Sequence, residues 1–220
     1  MLSSLYSLRV KQIVEKYETD FIENIRNFST SEISRSYAWI DCNNVFSFNS
    51  WETDNLAKEL YRFLANWGML HDSFLQNYNW RILRDTVNIL KEEQYRIIRN
   101  PEIETVEINK SLIVGLGKRI GSEISIFNND KPVWNRLISK ILLGAIGCTI
   151  AYDTNIVRFL RKHKEIASTS FSEKSLKSLC EFYKNHPEFE EERKEIKKKQ
   201  GINYPPMKIL DMALWMPKQK

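Results

Sequence analysis

The chain has 220 residues, a mass of 26.1 kDa and a net charge of +5, which fits one ordinary globular domain. It contains only 7 glycines and 6 prolines, about half the usual share, and this scarcity argues against sandwiches and barrels and favours long helices. A mean hydropathy of −0.44 and the lack of a long charge-free apolar run exclude a membrane-spanning segment. Charges at Arg9, Lys11 and Glu15 argue against a secretory signal, so a cytoplasmic location is expected.

Cysteines and histidines are few and widely spaced. Cys42, Cys148 and Cys180 form an odd set without a CxxC motif, which indicates reduced thiols. The three histidines also lack metal-ligand spacing. We therefore predict no metal site and no cofactor.

Apolar residues recur at helical steps along most of the chain. Ser29 to Glu32 has the S-x-x-E form of a capping box, and either Thr53 or Asp54 suits the cap of the helix that Gly68 ends. The predicted helices cover residues 4–28, 32–42, 53–67, 79–99, 110–127, 132–146, 154–166, 172–186, 187–200 and 207–216. Residues 43–52 are predicted to form a loop, and Ile103 to Ile108 a short edge-like strand or loop.

The later helices have clear start and stop signals. Asp153 and Ser172 are predicted N-caps, Pro187 begins a charged helix, and Gly147 and Gly201 end helices. The segment 132–146 is the most apolar of the chain and is expected at the centre of the core. The pattern as a whole predicts an all-α protein, a single orthogonal bundle of about eight to ten helices over 1–220. A subdivision into a body (1–166) and basic carboxyl-terminal helices (172–220) is the alternative.

The segment Ile113 to Gly121 contains glycines followed by a basic pair, which suggests a phosphate loop. Arg119 stands where a Walker loop needs serine or threonine after its lysine, Lys118. The favoured interpretation is a small-residue face at Gly117 and Gly121 that lets another helix approach closely.

Positive charge is concentrated in the last third of the chain. Residues 158–220 contain 15 Lys/Arg and 9 Asp/Glu, a net of +6, which leaves −1 for the first 157 residues. This partition predicts contact with DNA, RNA or an acidic partner, against the alternative of an ordinary solvated surface. The predicted nucleic-acid-binding residues are Arg158, Arg161, Lys162, Lys164, Arg193, Lys194, Lys197, Lys198 and Lys199.

The block from Asp153 to Arg158, which follows an apolar helix, resembles the end of the catalytic core of the helix-hairpin-helix DNA glycosylases. The resemblance implies a catalytic carboxylate at Asp153, with Lys140 on the preceding helix as a second catalytic candidate. A carboxylate can stabilise the oxocarbenium-like sugar while a base leaves. The alternative is that Asp153 is only a helix N-cap.

Three further blocks, FLANWGM (63–69), GAIGCTIAYD (144–153) and YPPMKILDM (204–212), resemble an uncharacterised bacterial family of all-helical proteins to which we attach no activity. Polar residues in or beside these blocks, His71, Lys208 and Asp211, form another candidate site. The apolar helix 207–216 is expected to pack into the core of the protein, and docking on a protein partner is the alternative.

These observations allow three functions. The leading prediction is a bacterial helical protein that binds nucleic acid or an acidic partner through its basic carboxyl-terminal third. The alternatives are a DNA glycosylase-like enzyme that uses Asp153 and a structural subunit of a multi-protein complex. Convergence of the candidate polar residues in one cleft would favour the enzyme.

Overall fold

A computed structural model describes residues 20–30, 34–47, 52–71, 73–133 and 135–215. These residues contain helices and no strand, which confirms the predicted all-α class. The α-helices are α1 (20–30), α2 (Ser34–Ser47), α3 (Thr53–Asn66), α4 (Arg84–Lys91), α5 (Ile103–Ile108), α6 (Lys110–Ser125), α7 (Asn135–Ala145), α8 (Thr154–Lys162), α9 (Glu173–Lys184), α10 (Pro187–Gln200) and α11 (Pro206–Leu214). Short 3₁₀ helices lie at Phe74–Asn77, Trp80–Leu83, Glu93–Ile98 and Ile126–Asn128. None of the helices in these ranges is long and apolar enough to cross a membrane.

Most predicted helix ends are confirmed. Gly147 and Gly201 have φ of +75° and +73° and end α7 and α10, because glycine enters the left-handed region without a steric penalty. The Ser172 hydroxyl accepts the Ser175 N–H at 3.2 Å and caps α9. Of the first predicted helix, residues 4–19 lie outside the described residues, as do residues 31 and 32 of the capping box.

The single helix predicted over 79–99 is wrong. Two 3₁₀ segments flank the shorter helix α4, and the backbone of Glu92 turns to ψ 138° and ends it. The turn buries Tyr95 and Ile98 and leaves Ile97, which lies on the apolar side of a continuous 79–99 helix, 61% exposed. A helical pattern of apolar residues therefore did not require one continuous helix here.

Three other boundaries also differ from the sequence prediction. Helix α2 continues through the predicted loop to Ser47, because Phe46 reaches the core. The segment 103–108 is the helix α5, with Ile103 and Val106 buried on one side, and not a strand. The caps predicted for α3 are absent, since the Thr53 hydroxyl contacts Asn88 and the Asp54 carboxylate pairs with Arg84.

Helix α7 forms the centre of the core, as predicted. All residues from Leu137 to Ala145 are buried, and α2, α3 and α6 pack against this helix. Gly144 lies directly against the ring of Phe63, and Gly117 of α6 lies against Phe171. The packing interpretation of the 113–121 segment is supported at Gly117.

Helix α11 is buried along its whole length. All nine residues from Pro206 to Leu214 belong to the interior, and the helix contacts α8, α9 and α10. The expectation that this segment packs into its own core is confirmed. Because the residues from Pro206 to Leu214 are buried, this helix has no exposed apolar face on which a protein partner could dock. The alternative of partner binding depended on such a face.

Two glycines give a matched test of the packing around α7. Gly144→Ala should lower the free energy of unfolding by about 1–3 kcal/mol, because the new methyl group collides with the Phe63 ring. Gly115→Ala in α6 has open space around it and should raise stability by up to about 1 kcal/mol. Urea unfolding followed by circular dichroism measures both. Equal effects of the two substitutions would contradict the close contact at Gly144.

Candidate active site

A cavity of about 260 Å³ lies between α1, α2, α3, α7 and α11, and we call it the first cavity. It is lined by Asn24, Asn27, Phe28, Arg35, Trp67, Lys140, Asp153, Asp211, Met212 and Trp215. Small-molecule sites commonly measure roughly 300–1,000 Å³. The first cavity is slightly smaller than this range, so it suits a small ligand of one or two rings.

Asp153 combines a structural role with a place in the first cavity. Its Oδ1 accepts the N–H groups of Asn155 at 2.9 Å and Ile156 at 3.0 Å, which confirms the predicted N-cap of α8. Its Oδ2 has no hydrogen-bond partner among the described residues. Arg158 donates to the side-chain oxygen of Asn155 at 3.1 Å. Capping uses one oxygen of Asp153 and leaves the other available to a ligand.

The loop before Asp153 is held by hydrogen bonds to two helices. The Ala151 N–H donates to Asp211 Oδ1 of α11 at 2.8 Å, and the Tyr152 N–H donates to the Ser139 hydroxyl of α7 at 3.0 Å. Both acceptors are buried, where such bonds are costly to break. Helices α7 and α11 therefore fix the position of the Asp153 carboxylate.

Lys140 reaches the first cavity from α7 and is only 3% exposed. Its Nζ donates to the Trp67 carbonyl oxygen at 2.7 Å, which is its one hydrogen bond among the described residues, so two of three ammonium protons remain for a ligand. Burial lowers the pKa of Lys140 to about 8, the charge of Asp153 opposes this shift, and the charge of Arg136 adds to it. Lys140 is thus an amine that can give and take a proton near neutral pH.

Lys208 and Asp211 form a fully buried ion pair behind the cavity wall, with Nζ 2.9 Å from Oδ2. The Lys208 ammonium also lies 3.9 Å from the centre of the Phe28 ring and 4.6 Å from that of Trp67. Burial lowers the pKa of Lys208 and raises that of Asp211, while their mutual attraction opposes both shifts. Both oxygens of Asp211 have partners, so its role is to hold the 151–153 loop.

The structure brings four sequence-predicted residues together. Asp153, Lys140 and Asp211 line the first cavity, and Lys208 contacts Asp211 from inside the core. His71 lies elsewhere, in a second cavity of about 390 Å³. Three of the candidate polar residues therefore line one cavity, Lys208 lies behind its wall, and His71 lies apart from them.

Sequence reasoning missed several residues that line the first cavity. Asn24 carried a usable signal, since it lies three residues after Phe21 and four before Phe28 and so places an amide on the apolar side of α1. Its Nδ2 donates to the Ala213 carbonyl at 3.2 Å. Arg35 gave no such signal, because an exposed arginine on a helix looks like ordinary surface.

The predicted nucleic-acid-binding residues have unequal surroundings. Arg193 is mostly buried and pairs with Glu102 and Glu190 at 2.9 and 2.8 Å, so two carboxylates already balance its charge. Lys194 and Lys199 pair with glutamates one turn away. The predicted basic residues that are exposed and have no carboxylate partner within the described ranges are Arg161, Lys162, Lys164, Lys197 and Lys198.

Cysteine and metal chemistry find little support in the described residues. Cys42, Cys148 and Cys180 are buried free thiols, and burial raises the pKa of each of them, to about 12 for Cys180. The described ranges contain no group of three or more His, Cys, Asp or Glu side chains that could hold a metal ion. The first cavity offers acid–base and electrostatic chemistry from its own side chains.

No family model, curated protein or solved structure matches this chain. The two resemblances drawn from the sequence stay predictions.

The buried pair can be tested by its effect on stability. Asp211→Asn keeps an acceptor for the Ala151 N–H but leaves Lys208 as an unpaired buried cation, so the free energy of unfolding should fall by about 3–5 kcal/mol. Adding Lys208→Met should recover part of this loss. Urea unfolding measures both variants.

The exposed pair of Asp54 and Arg84 supplies the control. Asp54→Asn should cost much less than Asp211→Asn, because water screens charges at the surface. If the two substitutions cost the same, the pair of Lys208 and Asp211 contributes no more to stability than an exposed ion pair.

Proposed function

We propose that the protein is a DNA glycosylase-like enzyme that removes a single base from DNA within the first cavity. The observation that supports this best is that Asp153 and Lys140 line one cavity. Among the described residues, Oδ2 of Asp153 has no hydrogen-bond partner and the Lys140 ammonium has one. A carboxylate can stabilise the cation that develops on the sugar, and an amine with a pKa of about 8 can protonate the leaving base.

The walls of the first cavity suit a planar heterocycle. Phe28, Trp67 and Trp215 present aromatic rings, against which a flipped base can stack. The side chains of Asn24 and Asn27 lie at the same cavity, and an amide can donate to and accept from the edge of a base. An extrahelical base fits this site better than an elongated or fully apolar ligand.

The reaction can be balanced with residues of this chain. The bond between the sugar C1′ and the base nitrogen breaks, and its electron pair leaves with the base. The Lys140 ammonium donates a proton to that base, while the Asp153 carboxylate stabilises the cation that develops on the sugar. Water then adds at C1′, and its proton returns to the Lys140 amine.

Binding of nucleic acid through the basic carboxyl-terminal third remains compatible with this proposal. Exposed lysines such as Lys197 and Lys198 would attract the phosphate backbone of DNA to the surface of the protein. Such contacts do not recognise individual bases. The first cavity would then supply the chemistry, and the basic surface a salt-dependent part of the affinity.

Substitution of Asp153 separates its catalytic role from its capping role. Asp153→Asn keeps a good N-cap, so stability should change by only a few tenths of a kcal/mol, while loss of the negative charge should slow base release by about 10²–10³-fold. The assay uses a panel of duplex DNAs that each carry one modified base. Alkali converts the released sites to strand breaks, which are counted on a denaturing gel.

Asp153→Ala is the matched control for the cap. It should lose about 1 kcal/mol of stability through the missing side-chain acceptor and be as inactive as Asp153→Asn. If neither the native protein nor any variant releases a base from any substrate of the panel, the proposed function is wrong and Asp153 is only a helix cap.

The pH dependence of base release tests Lys140. Because the ammonium form donates the proton and burial lowers the pKa of Lys140 to about 8, kcat/KM should fall about tenfold per pH unit above pH 8. Lys140→Gln should be slow and should lack this falling limb. Lys118→Gln, at an exposed position of α6, should keep the native profile; a native profile in Lys140→Gln would exclude Lys140 as the acid.

A further inference from the structure

The second cavity, of about 390 Å³, has a polar lining of a different kind. It is lined by Gly68, Met69, His71, Ser73, Phe74, Asn128, Val133, Arg136 and Leu137. These residues come from the segment after α3 up to the start of the 3₁₀ helix Phe74–Asn77, the end of the 3₁₀ helix Ile126–Asn128, and the loop before α7 with its first turn. None of them carries a carboxylate, whereas the first cavity contains Asp153 and Asp211.

The two cavities are neighbours. Trp67 lines the first and Gly68, the next residue, lines the second. On α7, Arg136 lines the second cavity and Lys140 the first, four residues or about 6 Å of helix rise apart. The charge of Arg136 is close enough to Lys140 to lower its pKa.

The polar groups of the second cavity are donors suited to an anion. Arg136 is exposed and has no ion pair with the described carboxylates, and its planar guanidinium matches two phosphate oxygens at once. The Ser73 hydroxyl accepts the Leu75 N–H at 3.3 Å and can still donate its own hydrogen. The Asn128 amide donates one hydrogen to the Lys131 carbonyl, which leaves the second.

We propose that the second cavity binds a phosphate group of the same strand whose base enters the first cavity. This inference rests on the proposed function and adds to it a second contact with the DNA strand, through a backbone phosphate. Arg136 is the main phosphate ligand, and Ser73 and Asn128 donate to the remaining oxygens. A phosphate held one helical turn from Lys140 fixes the position of the adjoining sugar relative to Asp153.

Binding measured without turnover tests this inference. The probe is a fluorescein-labelled duplex DNA with one tetrahydrofuran abasic-site analogue, which has no base to release. Fluorescence anisotropy gives its Kd for the full chain over a series of salt concentrations. Arg136→Gln should weaken binding several-fold and reduce the slope of log affinity against log salt by about one unit, as expected for one lost phosphate contact.

Two variants complete the experiment. Arg136→Lys keeps the charge and should retain the native slope, whereas Lys118→Gln, outside both cavities, should leave Kd nearly unchanged. An unchanged slope in Arg136→Gln, an equal loss in Lys118→Gln, or no binding by the native protein at low salt would each overturn the phosphate site.

The outcome is distinguishable from that of the proposed function. Base release together with an unchanged slope in Arg136→Gln would keep the enzyme and remove the phosphate site. A reduced slope without base release from any substrate would keep the phosphate site and remove the enzyme.

Discussion

The buried ion pair between Lys208 and Asp211 is the interaction on which the arrangement of the site depends. Asp211 accepts a hydrogen bond from the loop before Asp153, and Lys208 supplies the opposite charge that makes a buried carboxylate tolerable. Three aromatic rings surround the Lys208 ammonium, at 3.9 Å from Phe28, 4.6 Å from Trp67 and 5.7 Å from Trp39. Two of these rings, those of Phe28 and Trp67, thus stabilise the pair and also form part of the cavity wall.

The two cavities divide the charge around α7 in a way that suits one extended ligand. The first has carboxylates and aromatic walls, and the described residues that line the second include hydrogen-bond donors and no carboxylate. Lys140 lies between these environments, where the charge of Asp153 favours its protonated form and that of Arg136 opposes it. Burial is the main cause that lowers the pKa of Lys140 to about 8, and the neighbouring charges act on it in opposite directions.

Local signals predicted the fold well where they were strong. Caps at Asp153 and Ser172 and the glycines that follow α7 and α10 specify local backbone geometry, and the structure confirms them. The prediction of one helix over 79–99 was wrong because apolar periodicity indicates which residues are buried. It does not indicate whether the backbone turns between them. The turn at Glu92 ends α4, and apolar residues before and after this turn, such as Leu90 and Tyr95, are buried.

The sequence by itself determined that the chain is helical, that its most apolar helix is central and that Asp153 caps a helix, because these properties depend on residues close together in the chain. It also singled out Lys140, Lys208 and Asp211 without relating them in space. Only the tertiary structure decided that they converge while His71 does not, and that Arg193 is neutralised by Glu102 from a distant segment. Such pairings depend on how α7, α10 and α11 pack, and packing is a property of the whole chain.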